Sequence, residues 1–297
     1  MQWQTFRKKY LSRRFAVICL FVVPCLAFYI IFRYWPFLQS LLYSFFDYDY
    51  MTPPGEWVGF ENYANTFKSK LFWETLWTTV KLFLLQLAFG FIVPILQALL
   101  LAEVTKGKGV FRYLYIIPAG IPSIASLAVW KYIWNPQGGL ANALMRALGL
   151  PTHDWLFDAD TALFALRFSS ILGGGLGMMI YFVAINNIDS EIYSAAKIDG
   201  ANGWQQILFI TMPNILGTIG IQFLLALTSS LLAFDDVYIL TGGANSSQTV
   251  VMGVYRKAFS ELNMGQGMAM SVLIMLMTLT VSIIQIRLQY GDKKGEK

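Results

Sequence analysis

Residues 186–213 read Asn186-Asn187-Ile188-Asp189-Ser190-Glu191-Ile192-Tyr193-Ser194-Ala195-Ala196-Lys197-Ile198-Asp199-Gly200-Ala201-Asn202-Gly203-Trp204-Gln205-Gln206-Ile207-Leu208-Phe209-Ile210-Thr211-Met212-Pro213. Asp189 or Ser190 can cap a helix, and acidic residues in its first turn suit the helix dipole. Ile188, Ile192, Ala195 and Ala196 share one face, and Gly200 is a natural stop. A second short helix, about Gly203 to Thr211, carries Ile207, Leu208 and Ile210, and Met212-Pro213 ends it. Together they predict a compact knob with small residues on its surface, where another protein's backbone can approach closely. A helix pair lying on the membrane calls for Lys or Arg on its polar face. Only Lys197 is present, which favours the docking knob.

Working outward, the knob sits between two apolar runs, roughly residues 162–185 and 215–240, and four more lie at about 15–37, 76–101, 110–134 and 267–288. Each is long enough to cross a bilayer, which takes about 20 predominantly apolar residues. The composition agrees: 56% of residues are hydrophobic and 13% charged, against about 25% charged in soluble domains. That leaves too few polar side chains to cover a water-facing surface. With the N-terminus inside, Arg7, Lys8, Lys9, Arg13, Arg14, Lys106, Lys108, Arg112, Lys197, Arg287, Lys293, Lys294 and Lys297 lie on the cytoplasmic side. Only Lys68, Lys70, Arg146, Arg256 and Lys257 lie outside. Basic residues collect in cytoplasmic segments, so both termini are expected inside, with an even number of spans. The apolar stretch after the basic N-terminus is too long for a cleavable signal. The formal charge of +5 fits this bias and does not call for nucleic acid.

Arg33, Lys81, Lys131 and Arg167 fall within or at the edges of spans. They read as side chains snorkelling at outer span ends, with a polar pathway as the other reading. Cys19 and Cys25 point to different faces of the first run and read as small apolar fillers. The aromatic residues Trp57, Trp73, Trp77, Trp134 and Trp155 suit the headgroup layer.

Ala195-Ala196, three residues, Gly200, nine residues, Ile210, one residue, Met212-Pro213 resembles the EAA loop of ABC importer permeases. Ile198-Asp199-Gly200-Ala201 is the extension typical of sugar importers. Two positions depart: Ser194 stands where the family usually has Glu, and Met212 replaces Leu. Three further blocks agree with the carbohydrate class that includes MalF and UgpA: Val58-Gly59-Phe60-Glu61-Asn62-Tyr63, Trp134 to Asn142, and Phe234 to Gly243. The resemblance implies an all-α membrane protein with six transmembrane helices, the type I ABC importer permease fold and both termini cytoplasmic. Residues 1–14 would form a basic cytoplasmic N-terminus, 15–288 the transmembrane domain and 289–297 a cytoplasmic tail. It implies coupling to an ABC ATPase dimer through Glu191, Ser194, Ala195, Ala196, Asp199, Gly200, Ala201 and Pro213. It also implies a MalG-like second permease, an extracytoplasmic solute-binding protein, and a sugar or oligosaccharide as solute, in a bacterial cytoplasmic membrane.

By the same resemblance, the substrate pathway falls on Ser169, Leu172, Gly173, Leu176, Ser229, Ser230 and Ala233. Several of these are small or apolar, so a wide passage and a specific sugar site both fit. Glycines at 173, 174, 175 and 177 can serve such a passage or tight helix packing. Asp235 and Asp236, near the outer end of the fifth run, are expected to contact water, the partner permease or the binding protein. The chain has no phosphate-binding loop, so no cofactor is expected in it, and ATP and Mg belong to the partner ATPase. It has no metal motif and a single His153, which excludes metal and Ser-His chemistry. A stand-alone secondary transporter is the alternative; it would need inverted repeats and broken helices around a midplane site.

Overall fold

The computed structural model describes residues 13–49, 51, 55–104, 106–170, 175–244 and 246–291. Among these the chain is helical; pairing outside the helices is confined to two isolated bridges, Phe46 with Trp57 and Asp49 with Asn263. Three helices are long and apolar enough to cross a membrane: α1 (Phe15–Tyr43), α3 (Lys70–Glu103) and the last helix, α14 (Met264–Gly291). Between them lie α2 (Glu61–Lys68), α4 (Lys108–Gly120), α5 (Ser123–Ile133), α6 (Leu140–Ala147), α7 (Ala162–Phe168), α8 (Gly175–Asn186), α9 (Ser190–Ile198), α10 (Gly203–Asn214), α11 (Leu216–Leu231), α12 (Asp235–Leu240) and α13 (Val250–Tyr255).

The third apolar run is not one straight helix. α4 and α5 meet at 95°, a broken span or a re-entrant loop. The cause is Pro118-Ala119-Gly120-Ile121-Pro122: Ile121 is extended (ψ 130°), as the residue before a proline prefers. The fifth run is also interrupted, with Leu232, Ala233 and Phe234 separating α11 from α12. The fourth run divides into α7 and α8, with residues 171–174 outside the described set.

Prolines do not always end helices here. Widened π turns at Ile30–Tyr34, Leu87–Ile92 and Ile207–Thr211 each run directly into a segment with proline at its start, Pro36, Pro94 and Pro213. Proline lacks an N–H and its ring crowds the carbonyl one turn back; an extra residue in that turn relieves both demands. The helix expected to stop at Met212-Pro213 therefore continues to Asn214. It turns by 68° into α11 only at the buried Ile215.

The chain forms two compact units, Met1–Thr66 with Lys257–Val272, and Phe67–Arg256 with Leu273–Lys297. In the first, the side chain of Asn62 donates to the carbonyls of Ser44 (3.0 Å) and Phe46 (2.9 Å), and the hydroxyls of Tyr63 and Ser44 lie 2.7 Å apart. This pins α2 to the end of α1 and gives the Val58–Tyr63 block a structural purpose. The apolar side chains along α1 are exposed, as suits a helix whose solvent is lipid.

The second unit has two apolar cores. One gathers Leu82, Trp130, Trp134, Trp155, Leu166 and Val237. The other gathers Ile95, Ala98, Leu101, Met178, Tyr181 and Phe182, where α3 meets α8. Lipid tails are as apolar as leucine, so such cores cohere by close packing rather than by escape from water. Ala98 is fully buried in that seam. Gly175 serves the same end: a Cβ there would run into the Tyr115 carbonyl of α4.

Candidate functional site

The knob begins where Asp189 caps α9, its carboxylate accepting from the Glu191 N–H at 2.9 Å. α9 ends with the Gly200 N–H donating to the Lys197 carbonyl and the Ala201 N–H to the Ala196 carbonyl. That pair of bonds needs a left-handed residue, and Gly200 has φ +81°. Two residues later Asn202 opens α10 with a reciprocal capping box to Gln205. The two helices are tied together: the hydroxyls of Tyr193 and Thr211 lie 2.9 Å apart, and Gln206 Nε2 donates to the Ala201 carbonyl at 3.0 Å. Each junction of the knob is thus hydrogen-bonded.

Its surface differs from the expected one in a useful way. Ile192 and Ala195 point outward, while Tyr193 and Ala196 face the second helix. Glu191, Ser194, Ala195, Asp199, Gly200 and Pro213 are exposed; Ala196 and Ala201 are half-buried. Ser194 is engaged locally, its hydroxyl donating to the Ser190 carbonyl at 3.0 Å. The sequence reading missed large outward apolar groups: Ile198 is 87% exposed, Phe209 76% and Trp204 74%. These groups give the knob an apolar outer surface beside its capped and hydrogen-bonded junctions. Ile198 lies out of phase with the face chosen from Ile188 and Ile192 on α9; for Trp204, on the next helix, the sequence held no comparable signal.

A second feature lies in the same unit. A cavity of about 590 Å3 opens among α5, the start of α12 and the 232–234 segment before it, the α4–α5 corner, and Ser169 and Leu176. Of the predicted pathway residues, Ser169, Leu176 and Ala233 line it. Ser229 and Ser230 do not: Ser229 Oγ donates to the Ala226 carbonyl, and Ser230 is buried without a partner for its hydroxyl. Leu172 and Gly173 lie outside the described residues. The Ser169 hydroxyl is committed twice, donating to the Ala165 carbonyl (2.8 Å) and accepting from Trp134 Nε1 (3.1 Å). Ser123, Ser126, Trp130, Phe234, Asp235 and Asp236 complete the polar and aromatic lining. Ser123 and Ser126 escaped the sequence reading because a straight third helix does not turn them toward the fifth. The prolines at 118 and 122 were the available clue.

Arg167 is not a snorkelling side chain. It is 8% exposed, and its Nη1 lies 3.1 Å from Asp236 Oδ2. The other oxygen of Asp236 accepts from the Val237 N–H at 3.0 Å. Nε and Nη2 of Arg167 are buried and have no hydrogen-bond partner among the described residues. α7 is only two turns long, and its last turn points its base at α12 instead of along the chain toward an interface. Lys131 reaches the Ile239 carbonyl at 3.1 Å, and Lys81 lies 6.0 Å from the centre of the Trp77 ring.

Residues 90–290 match the family described as "Binding-protein-dependent transport system inner membrane component". The probable ABC transporter permease protein YurN of Bacillus subtilis (strain 168) is 32% identical over 257 residues, 83% of this chain and 86% of that one. The trehalose/maltose transport system permease protein MalF of Thermococcus litoralis is 28% identical, over 83% of each chain. Among solved structures, a chain of a bacterial ABC transporter involved in the import of the acidic polysaccharide alginate superposes with a TM-score of 0.81. It covers 99% of this chain and 100% of that one at 22% identity, so the two share a fold.

Proposed function

The chain belongs to the family of binding-protein-dependent transport system inner membrane components, and from that premise we propose that it is a transmembrane permease subunit of an ATP-driven importer of a sugar or oligosaccharide. The observation that carries this is the hydrogen-bonded, outward-facing knob at 189–214, whose residue spacing is that of the coupling loop. In this reading it docks on an ABC ATPase through Glu191, Ser194, Ala195, Ala196, Asp199, Gly200, Ala201 and Pro213, with Ile198 and Trp204 as apolar anchors. ATP and Mg are held by that partner. The knob, hydrogen-bonded at each junction, passes on the ATPase's closure as a displacement rather than absorbing it. The solute class rests on relatives named for trehalose and maltose, for multiple sugars and for diacetylchitobiose.

The same reading gives the protein six spans with both termini cytoplasmic. The fourth combines α7 and α8, the third is the bent α4–α5 pair, and the fifth is α11 continued by α12 after Leu232–Phe234. A MalG-like second permease completes the passage, and a solute-binding protein delivers the sugar from outside. Residues 15–288 form the transmembrane domain in a bacterial cytoplasmic membrane. The cavity at Ser169, Leu176 and Ala233 lies on the passage. Membership of a binding-protein-dependent family disfavours the stand-alone secondary transporter.

The test is gentle solubilisation of the full chain and co-purification from its native membrane. Recovery of a second permease and an ATPase, with the ATPase lost on Gly200→Val, is the expected result. A chain that purifies alone and transports in vesicles lacking ATP overturns the proposal.

A further inference from the structure

The cavity carries an uneven set of chemical groups. Among the described residues two carboxylates line it, Asp235 and Asp236, and no basic side chain does. The two are not equivalent. Asp236 has both oxygens occupied, one by Arg167 and one by the Val237 N–H. Its charge is balanced from behind by a guanidinium that does not itself reach the wall. Asp235 is exposed and makes no hydrogen bond or ion pair among the described residues. Among the described residues the hydroxyls of Ser123 and Ser126 make no hydrogen bond, whereas that of Ser169 is used up. The remaining wall is apolar: Leu127, Leu176, Leu232 and the ring of Phe234, which stacks at 5.3 Å on Tyr238.

We infer, resting on the importer reading above, that this cavity selects neutral or amine-bearing saccharides and rejects acidic ones, with Asp235 as the selecting residue. A carboxylate only accepts hydrogen bonds, so it pairs with sugar hydroxyls and more strongly with an ammonium group. An acidic sugar instead brings a like charge into a cavity with low-dielectric walls and no cation to meet it. The apolar walls suit the C–H face of a pyranose ring. A volume of about 590 Å3 falls within the usual range for small-ligand sites, roughly 300–1,000 Å3, and accommodates one or two sugar units. Arg167 is a positioning residue here: by neutralising Asp236 it leaves the cavity with a single free negative charge at a defined point.

The experiment is equilibrium binding of three probes to the full chain in lipid nanodiscs at pH 7. They are cellobiose, the glucosamine dimer and the galacturonate dimer. The wild type is expected to bind the first two at least about tenfold more tightly than the third. Asp235→Asn, which keeps the side chain's shape and removes its charge, should abolish that gap, and Asp235→Lys should reverse it. A galacturonate dimer bound as tightly as cellobiose by the wild type, or a gap that survives in Asp235→Asn, overturns the inference. Binding of none of the probes by a folded chain removes the cavity as a sugar site and overturns it too. Co-purification of the ATPase, measured separately, then tells whether the importer reading falls with it: intact co-purification leaves that reading standing.

Discussion

Replacing Asp236 by Asn is the sharpest probe of the second unit. The change is nearly isosteric and keeps an oxygen to accept from the Val237 N–H, so it removes a charge and little else. What remains is Arg167, 8% exposed, with two nitrogens already lacking partners. Removing one member of a buried ion pair costs about 3–5 kcal/mol, because the other charge is left uncompensated. The Asp236 side chain is 22% exposed, so water reaches it, and the low end, about 3 kcal/mol, applies. One kcal/mol shifts the melting temperature of a chain of this size by roughly 2–4 °C, so a fall of about 6–12 °C is expected. The assay is thermal unfolding of the solubilised full chain followed by tryptophan fluorescence. Adding Arg167→Met removes the stranded charge and should recover at least half of the loss. An unchanged melting temperature in Asp236→Asn, or a double variant as unstable as the two single losses added together, would refute the argument.

Three further perturbations read out other parts of the molecule. Gly200 has φ +81° and open space where a Cβ would stand, so substitution costs backbone strain alone, about 1 kcal/mol or more for a β-branched residue; Gly200→Asn should retain the ATPase in co-purification and Gly200→Val should lose it. Trp204→Ala should weaken ATPase recovery while leaving the melting temperature of the isolated chain within about 1 °C, since the side chain is 74% exposed; a fall in both would make it a structural residue. Asn142 is 1% exposed and bonds to Pro136, His153 and Trp155, so Asn142→Leu strands buried polar groups and should cost about 2–4 kcal/mol, read as increased protease cleavage near His153.

Much of this was legible in the sequence because the patterns involved are local. Asp189 as cap and Gly200 as stop are decided within a few residues of themselves, and both stand in the structure as capping chemistry requires; the Asn202 capping box emerged only from the structure. The apolar runs were visible because bilayer thickness sets a minimum length. Their internal breaks were harder. Pro24 sits inside a helix, Pro36, Pro94 and Pro213 follow π turns, and Pro122 marks a 95° corner. The residue type is the same; the outcome depends on whether the preceding turn can widen. Arg167 illustrates the other limit. Its partner lies 69 positions away, and position along an apolar run does not reveal which way a short helix faces. The outward turn of Ile198 and Trp204 was likewise hidden, since apolar residues are expected to point inward.

The threonines of α3 carry a consequence for how the protein is made. Thr79 Oγ1 accepts from the Val250 N–H, 171 positions later, and Thr78 donates to the Ser246 carbonyl. α3 is thus finished by a segment made 171 positions later. Until then both hydroxyls fall back on carbonyls of their own helix, as Thr79 does with Thr75, and the early helices can wait in the bilayer without an exposed polar defect. The Val250 N–H has no such fallback. A change at Thr79 is therefore expected to leave α3 itself formed and to open its junction with α13.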